Sequence, residues 1–135
     1  ASDVYKRKGI AHAIVTVGGD LYALGHAPDG DPWQVGIRDP HNLEALASRL
    51  EVADRAVTTS GDYERFFAYR GVRYHHLIDP ITAAPRRTPV HSMTVLGSNC
   101  MNADAAGTAV FGMTTDAAER VARRVLSDAE VIRLT

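Results

Sequence analysis

Ile10-Ala11-His12-Ala13-Ile14-Val15-Thr16-Val17-Gly18-Gly19-Asp20-Leu21-Tyr22-Ala23-Leu24-Gly25 holds two β-rich runs around a Gly-Gly-Asp centre. Branched and aromatic side chains favour extended backbone and paired glycines suit a tight turn, so the stretch reads as a β-hairpin. Upstream, residues 1–8 end in Lys6-Arg7-Lys8 before Gly9, the pattern of a helix's last turn with cations on its negative end and a glycine cap. A helix that starts at the first residue without an N-cap leads us to expect that the natural chain begins earlier. Downstream, Pro28-Asp29-Gly30-Asp31-Pro32 is a turn cluster, and Trp33-Gln34-Val35-Gly36-Ile37-Arg38 alternates as a half-buried third strand.

After Asp39-Pro40-His41, Asn42 offers a cap for a short helix with Leu43, Leu46, Ala47 and Leu50 at helical spacing. Residues 55–59 read as extended. Residues 63–69 and 73–78 flank Arg70-Gly71-Val72 as a second hairpin, and a loop with Pro80, Pro85 and Pro89 leads to a strand over 92–97. Residues 102–111 and 116–126 have helical composition, and residues 130–134 can supply a last strand. This order predicts one α+β domain over residues 1–135, with a largely antiparallel sheet and helices packed on it.

Composition narrows the function classes. The 135 residues carry 15 basic against 16 acidic side chains, so no global field draws the chain to nucleic acid or anionic lipid. The single cysteine, Cys100, excludes an internal disulfide or a cysteine-built zinc or iron–sulfur centre, and reads as a packed small hydrophobe rather than a nucleophile. No apolar run reaches the roughly 20 residues that span a bilayer.

Three constellations can carry chemistry. Asp104 and Thr108, four apart on one helical face, can aim two oxygens at a hard cation, and Ala103, Ala105, Ala106 and Gly107 around them admit a close neighbour. The same spacing suits a capping Asp104 and a packed Thr108. Thr58-Thr59-Ser60-Gly61-Asp62-Tyr63 can offer hydroxyls and backbone N–H groups to a phosphate or ring carbonyl, or be an ordinary polar turn. In His75-His76-Leu77-Ile78-Asp79-Pro80 the adjacent histidines point to opposite faces of a strand, so at most one enters a given pocket, and His76 can move a proton near neutral pH. Asp20 reads as closing the Gly18-Gly19 turn.

In their order, Val17-Gly18-Gly19-Asp20-Leu21, the run from Pro32 through Trp33 and Ile37 to Pro40, Thr59-Ser60-Gly61-Asp62-Tyr63-Glu64-Arg65, Tyr74-His75-His76-Leu77-Ile78-Asp79-Pro80, Ser92-Met93-Thr94-Val95 and Ala103-Asp104-Ala105-Ala106-Gly107-Thr108-Ala109 resemble the ApbE family, the FAD:protein FMN transferases. The resemblance implies an ApbE-like (T-fold-like) architecture and a magnesium-dependent enzyme that splits FAD, places FMN on a threonine or serine hydroxyl of an acceptor flavoprotein and releases AMP. It implies Asp104 and Thr108 as ligands of Mg2+. It implies, too, that His76 and Asp79 come near the transferred phosphate, with either of them the base, and that Thr59, Ser60, Gly61 and Asp62, with His76, Leu77 and Ile78, line the flavin cleft.

Where the family usually continues with Arg-Thr-Gly, this chain has Ile81-Thr82-Ala83, which implies a changed flavin-facing contact or changed loop dihedrals. Family members are more than twice as long, so the resemblance covers a C-terminal portion whose site needs a further metal ligand and more of the FAD pocket from an N-terminal half. The resemblance also leaves FAD hydrolysis to FMN and AMP, or FAD binding without turnover, as alternative activities. Many relatives are exported and membrane-anchored, but nothing in these residues fixes a location.

Overall fold

A computed structural model describes residues 2–135; Ala1, where the sequence reading starts the first helix, lies outside the described residues. The elements in chain order are α1 (Ser2–Arg7), β1 (Ala13–Val17), β2 (Asp20–Leu24), β3 (Trp33–Arg38), β4 (Leu46–Val52), β5 (Arg55–Gly61), β6 (Phe66–Tyr69), β7 (Val72–His75), β8 (Ile78–Asp79), β9 (Ala84–Pro85), β10 (Ser92–Gly97), α2 (Cys100–Val110), α3 (Thr115–Ala122) and β11 (Glu130–Leu134). The α+β expectation holds, with one five-stranded sheet in the order β1-β2-β5-β10-β11 and every neighbour antiparallel.

The period-two alternation of the strands sorts side chains onto two faces. On one face Tyr22, Leu24, Ala56, Met93, Val95 and Val131 meet Ala103, Ala106 and Val110 of α2 and Ala118 and Ala122 of α3. On the other, Ala23, Val57 and Leu96 meet Val35, Ile37 and Val52 of the β3–β4 hairpin. Helices therefore cover one face and a hairpin the other, which is why all six residues of β10 are buried. Each fully buried Met93, Val95 or Val110 contributes about 1.5–3 kcal/mol relative to exposure.

Residues 43–50 correct the sequence reading. The expected helix is absent; Leu46–Val52 is β4, paired with β3 from Trp33↔Val52 to Arg38↔Leu46. Leu43, Leu46, Ala47 and Leu50 fit a helical period, but Ser48, Leu50 and Val52 also alternate, and pairing with the apolar face of β3 decides between them. Asn42 does not cap a helix: its Oδ1 accepts the Glu44 N–H at 3.2 Å, closing a turn. Asn99, not Asp104, caps α2, accepting the Asn102 N–H at 3.0 Å. Helix α3 ends at Ala122, four residues short of the expected 126, and Leu126 instead turns into the core.

Turns and a short register open one end of the sheet. Gly18 (φ +64°) and Gly19 (φ +98°) are both left-handed, as a two-residue turn matched to strand twist requires, so the β1–β2 hairpin stops there. Strand β2 pairs with β5 only over Arg55, Ala56 and Val57, which leaves Thr58 to Gly61 without a β2 partner. Ala83, where the resemblance leads one to expect glycine, sits at φ +54°, a left-handed backbone that a Cβ disfavours.

Gly97 of β10 lies where a Cβ would collide with the Leu126 side chain, and overpacking of this kind costs about 1–3 kcal/mol. Gly97→Ala should lower the denaturant midpoint correspondingly, and adding Leu126→Ala should recover less than a full cavity penalty because the two changes compensate. Ala83→Gly relieves left-handed strain at the expense of chain entropy, and should raise stability by up to about 1 kcal/mol. A measurable loss in the same unfolding experiment would show that the loop is not strained at Ala83.

Candidate functional site

The open end of the sheet forms a cavity of about 600 Å³ between the helix layer and the hairpin layer. The β1–β2 turn contributes Gly18, Gly19 and Asp20, the end of β3 contributes Gly36, Ile37 and Arg38, and the end of β5 contributes Thr59, Ser60 and Gly61. Tyr63, Glu64 and Arg65 follow β5, His76 follows β7, and Asp104 and Thr108 come from α2.

Helix α2 reaches the cavity because its inner face is small. Ala103, Ala106 and Gly107 are buried, and a Cβ on Gly107 would stand 3.1 Å from Ser60 Oγ. The neighbouring positions on the helix, Asp104 and Thr108, are exposed toward the cavity, and Thr108 Oγ1 lies 3.5 Å from Ser60 Oγ. Asp20 faces Asp104: burial first, and the Asp104 charge second, push the Asp20 carboxyl above its ordinary value. Cys100 borders this wall, and burial, with Asp20 and Asp104 next, pushes its thiol up, which keeps it protonated and unreactive.

The two carboxylates and two hydroxyls of this wall are an all-oxygen donor set. Among the described residues no cluster of three or more carboxylate, imidazole or thiol groups assembles into a closed metal cage. An incomplete oxygen set suits Mg2+, which keeps several waters and takes phosphate oxygens readily. The opposite side of the cavity carries the exposed guanidinium-bearing residues Arg38 and Arg65. Tyr63, in the same lining, is pushed up by burial and then by Glu64, against the pull of the Arg38 guanidinium.

Adjacent histidines take opposite faces, as alternation requires. His75 is buried against Phe111, ring centroids 6.0 Å apart, while His76 lines the cavity. His76 Nδ1 lies 3.2 Å from the Arg65 carbonyl oxygen, and the His76 backbone N–H donates to the same oxygen at 3.2 Å. A carbonyl only accepts, so Nδ1 carries a proton and donates, and in the uncharged form of the ring the bare lone pair lies on Nε2.

The remaining candidates from the sequence sit elsewhere. Asp62 turns away from the cavity; its carboxylate accepts from His91 Nδ1 at 2.9 Å and from Arg73 at 3.4 Å, tying the end of β5 to β7 and to the start of β10. Leu77 is buried in the core and Ile78 is exposed. Asp79 lines a second cleft of about 650 Å³ with Ile81, Pro85, Arg86, Phe111 and Met113. Its Oδ1 accepts the Ile81 N–H at 2.8 Å and the Thr82 N–H at 3.1 Å, and these bonds, with Arg86 at 3.9 Å, hold its carboxyl below the ordinary value. Asp20, Arg38, Tyr63, Glu64 and Arg65 are the polar cavity residues to which sequence reasoning gave no part in binding or catalysis. Each lies inside a quoted stretch, but only the fold brings their three separate turns to one place.

No helix among the described residues is long and apolar enough to cross a membrane. Residues 1–132 match the ApbE family. A FAD:protein FMN transferase of Treponema pallidum is 44% identical over 108 residues, 73% of this chain and 30% of that protein. Another, of Vibrio cholerae, is 38% identical over 113 residues, 83% of this chain and 34% of that protein. The chain thus spans about a third of the length of these relatives. In solved structures, the ApbE protein of Thermotoga maritima superposes with a TM-score of 0.79 at 33% identity over 90% of this chain and 39% of that one. The flavin transferase ApbE of Vibrio cholerae does so with a TM-score of 0.79 at 34% identity over 98% of this chain and 41% of that one. From its sequence and its fold alike, the chain belongs to the ApbE family.

Proposed function

We propose that this chain forms the C-terminal part of an FAD:protein FMN transferase, moving FMN from FAD to a threonine or serine hydroxyl of an acceptor protein and releasing AMP. The observation that carries the reading is the cavity itself, whose lining brings the oxygens of Asp20, Asp104, Ser60 and Thr108 together with Arg38, Glu64, Arg65 and His76. Relatives named FAD:protein FMN transferase support the same class of reaction.

The oxygens of Asp104 and Thr108, with Asp20 and Ser60 beside them, would hold Mg2+. Bound there, the ion neutralises charge on phosphate oxygens. The chain's own groups do the rest. His76 Nε2 takes the proton from the acceptor hydroxyl as its oxygen bonds to the FMN phosphorus, and the bond from that phosphorus to the oxygen of the AMP phosphate breaks. Arg38 and Arg65 offer charge to phosphate oxygens from the other side. Thr59 and Gly61 border the space a flavin moiety would fill. Asp79 has its acceptor capacity engaged by its own loop and a lowered pKa, which suits shaping that loop rather than receiving a proton.

Incubating the intact protein with FAD, magnesium and an acceptor polypeptide should add the mass of FMN to the acceptor. Asp104→Ala and His76→Ala should each lower the rate by about a hundredfold or more. Mass spectrometry showing no adduct, or one indifferent to both substitutions, removes the proposal.

Asp20 gives a test that needs no turnover. Its folded pKa lies above the unfolded value, so the folded state holds the proton more tightly, and stability falls as pH rises through the folded pKa. Without magnesium, Asp20→Asn should therefore melt above the unsubstituted protein at pH 7 and converge with it toward pH 4, near the ordinary carboxylate range. Magnesium should raise the melting temperature of the unsubstituted protein more than that of Asp20→Asn. Equal shifts in thermal melts would remove Asp20 from the cation wall.

A further inference from the structure

His75 is buried beside the proposed base, yet its ring does not enter the cavity. Both of its nitrogens are engaged. Nε2 lies 3.0 Å from the Arg86 carbonyl oxygen, an acceptor only, so Nε2 carries the proton. Nδ1 lies 3.3 Å from the Leu77 backbone nitrogen and accepts its N–H. The Arg86 backbone N–H in turn donates to the Leu77 carbonyl at 3.0 Å, closing a small ring of bonds around the peptide that follows His76.

The same Arg86 reaches the other wall. Its guanidinium donates to the Ala109 carbonyl at 3.1 Å and strongly to the Phe111 carbonyl at 2.6 Å, where α2 runs out of its own donors. Helix α2 carries Asp104 and Thr108 one to two turns earlier. The path from the cation wall to the base is therefore continuous: α2 C-terminus, Arg86 side chain, Arg86 carbonyl, His75 ring, Leu77 N–H. His76 is flanked by that path on one side and by its two bonds to the Arg65 carbonyl on the other.

We infer that His75, clipped to Arg86, is a positioning residue that fixes His76 in register with α2 and thereby keeps Nε2 of His76 bare and correctly placed. This rests on the flavin-transfer reading for its kinetic consequence only. The two neighbouring imidazoles hold opposite tautomers, Nε2–H on His75 and Nδ1–H on His76, each imposed by a carbonyl that can only accept. An aromatic replacement fills the space against Phe111 but makes neither bond. A glutamine keeps an amide N–H near the place of Nε2.

The test is long-range 15N NMR of the intact protein without FAD, joined to kinetics. His75 should be protonated at Nε2 and His76 at Nδ1. In His75→Phe, His76 should lose its single tautomer, kcat for FMN transfer should fall about tenfold or more, and KM for FAD should stay within about twofold. His75→Gln should recover most of kcat, and Arg86→Met, which frees α2 while keeping the carbonyl, should disturb His76 in the same direction. The inference is overturned by Nδ1 protonation of His75, by an unchanged His76 tautomer in His75→Phe, or by a KM that rises as far as kcat falls. A protein that shows the paired tautomers and their loss in His75→Phe but transfers no FMN leaves the clip standing and removes the flavin-transfer reading instead.

Discussion

The close approach of α2 to β5 at Gly107 is the constraint on which the cavity depends. A Cβ at that position would stand 3.1 Å from Ser60 Oγ, tighter than ordinary contact, so any larger side chain there would have to push Ser60 or the helix aside. Seating it brings Thr108 Oγ1 to 3.5 Å from Ser60 Oγ and turns Asp104 toward Asp20. Burial of Ala103, Ala106 and Val110 stabilises the arrangement, at roughly 0.8 kcal/mol for each buried methylene equivalent. The packing that makes the core thus also sets the spacing of the oxygen wall.

The cavity lining carries both signs: Asp20 and Asp104 at the β2–α2 wall, and Arg38 and Arg65 with Glu64 among them elsewhere in the lining. Asp20 is pushed up by burial and by Asp104, a like-charge repulsion that an adjacent cation would relieve. Arg38 acts on Tyr63, on the other side. Arg38 and Arg65 give the lining cationic groups, and Glu64 beside them limits how far that side is positive.

Most of the sheet was legible because its strands alternate or run apolar between glycine and proline turns, as around Gly18-Gly19 and Arg70-Gly71. Residues 43–50 were not legible, because a spacing of three leucines and one alanine serves a helix as well as a strand and only the partner strand β3 decides. Asp104, Thr108, Ser60 and His76 stood out by residue type and order, and they share one cavity. Asp20 escaped because a carboxylate after two glycines is an ordinary turn residue until α2 faces it. Asp62 and Asp79 were singled out by the same motifs, yet one bridges His91 and Arg73 and the other closes its own loop. Side-chain direction at the end of a strand depends on neighbours distant in sequence, which a local motif does not encode.

That distinction also explains how the chain accommodates Ile81 and Ala83 in a loop where the family favours arginine and glycine. Neither residue borders the cavity of Asp104, Thr108 and His76; Ile81 stands 92% exposed over the second cleft, and Ala83 lies beyond it on the turn between β8 and β9. The loop keeps its course because Asp79 accepts from Ile81 and Thr82, and the Ala83 N–H donates to the Asp79 carbonyl at 2.9 Å. Those bonds offset the left-handed backbone at Ala83, for which a penalty of about 1 kcal/mol is ordinary. Just past this loop Arg86 donates from its guanidinium to the Ala109 and Phe111 carbonyls, tying the segment to the end of α2. The loop is therefore held to the same helix that bears the oxygen wall, while its Ile81 and Thr82 side chains border the second cleft and not the cavity.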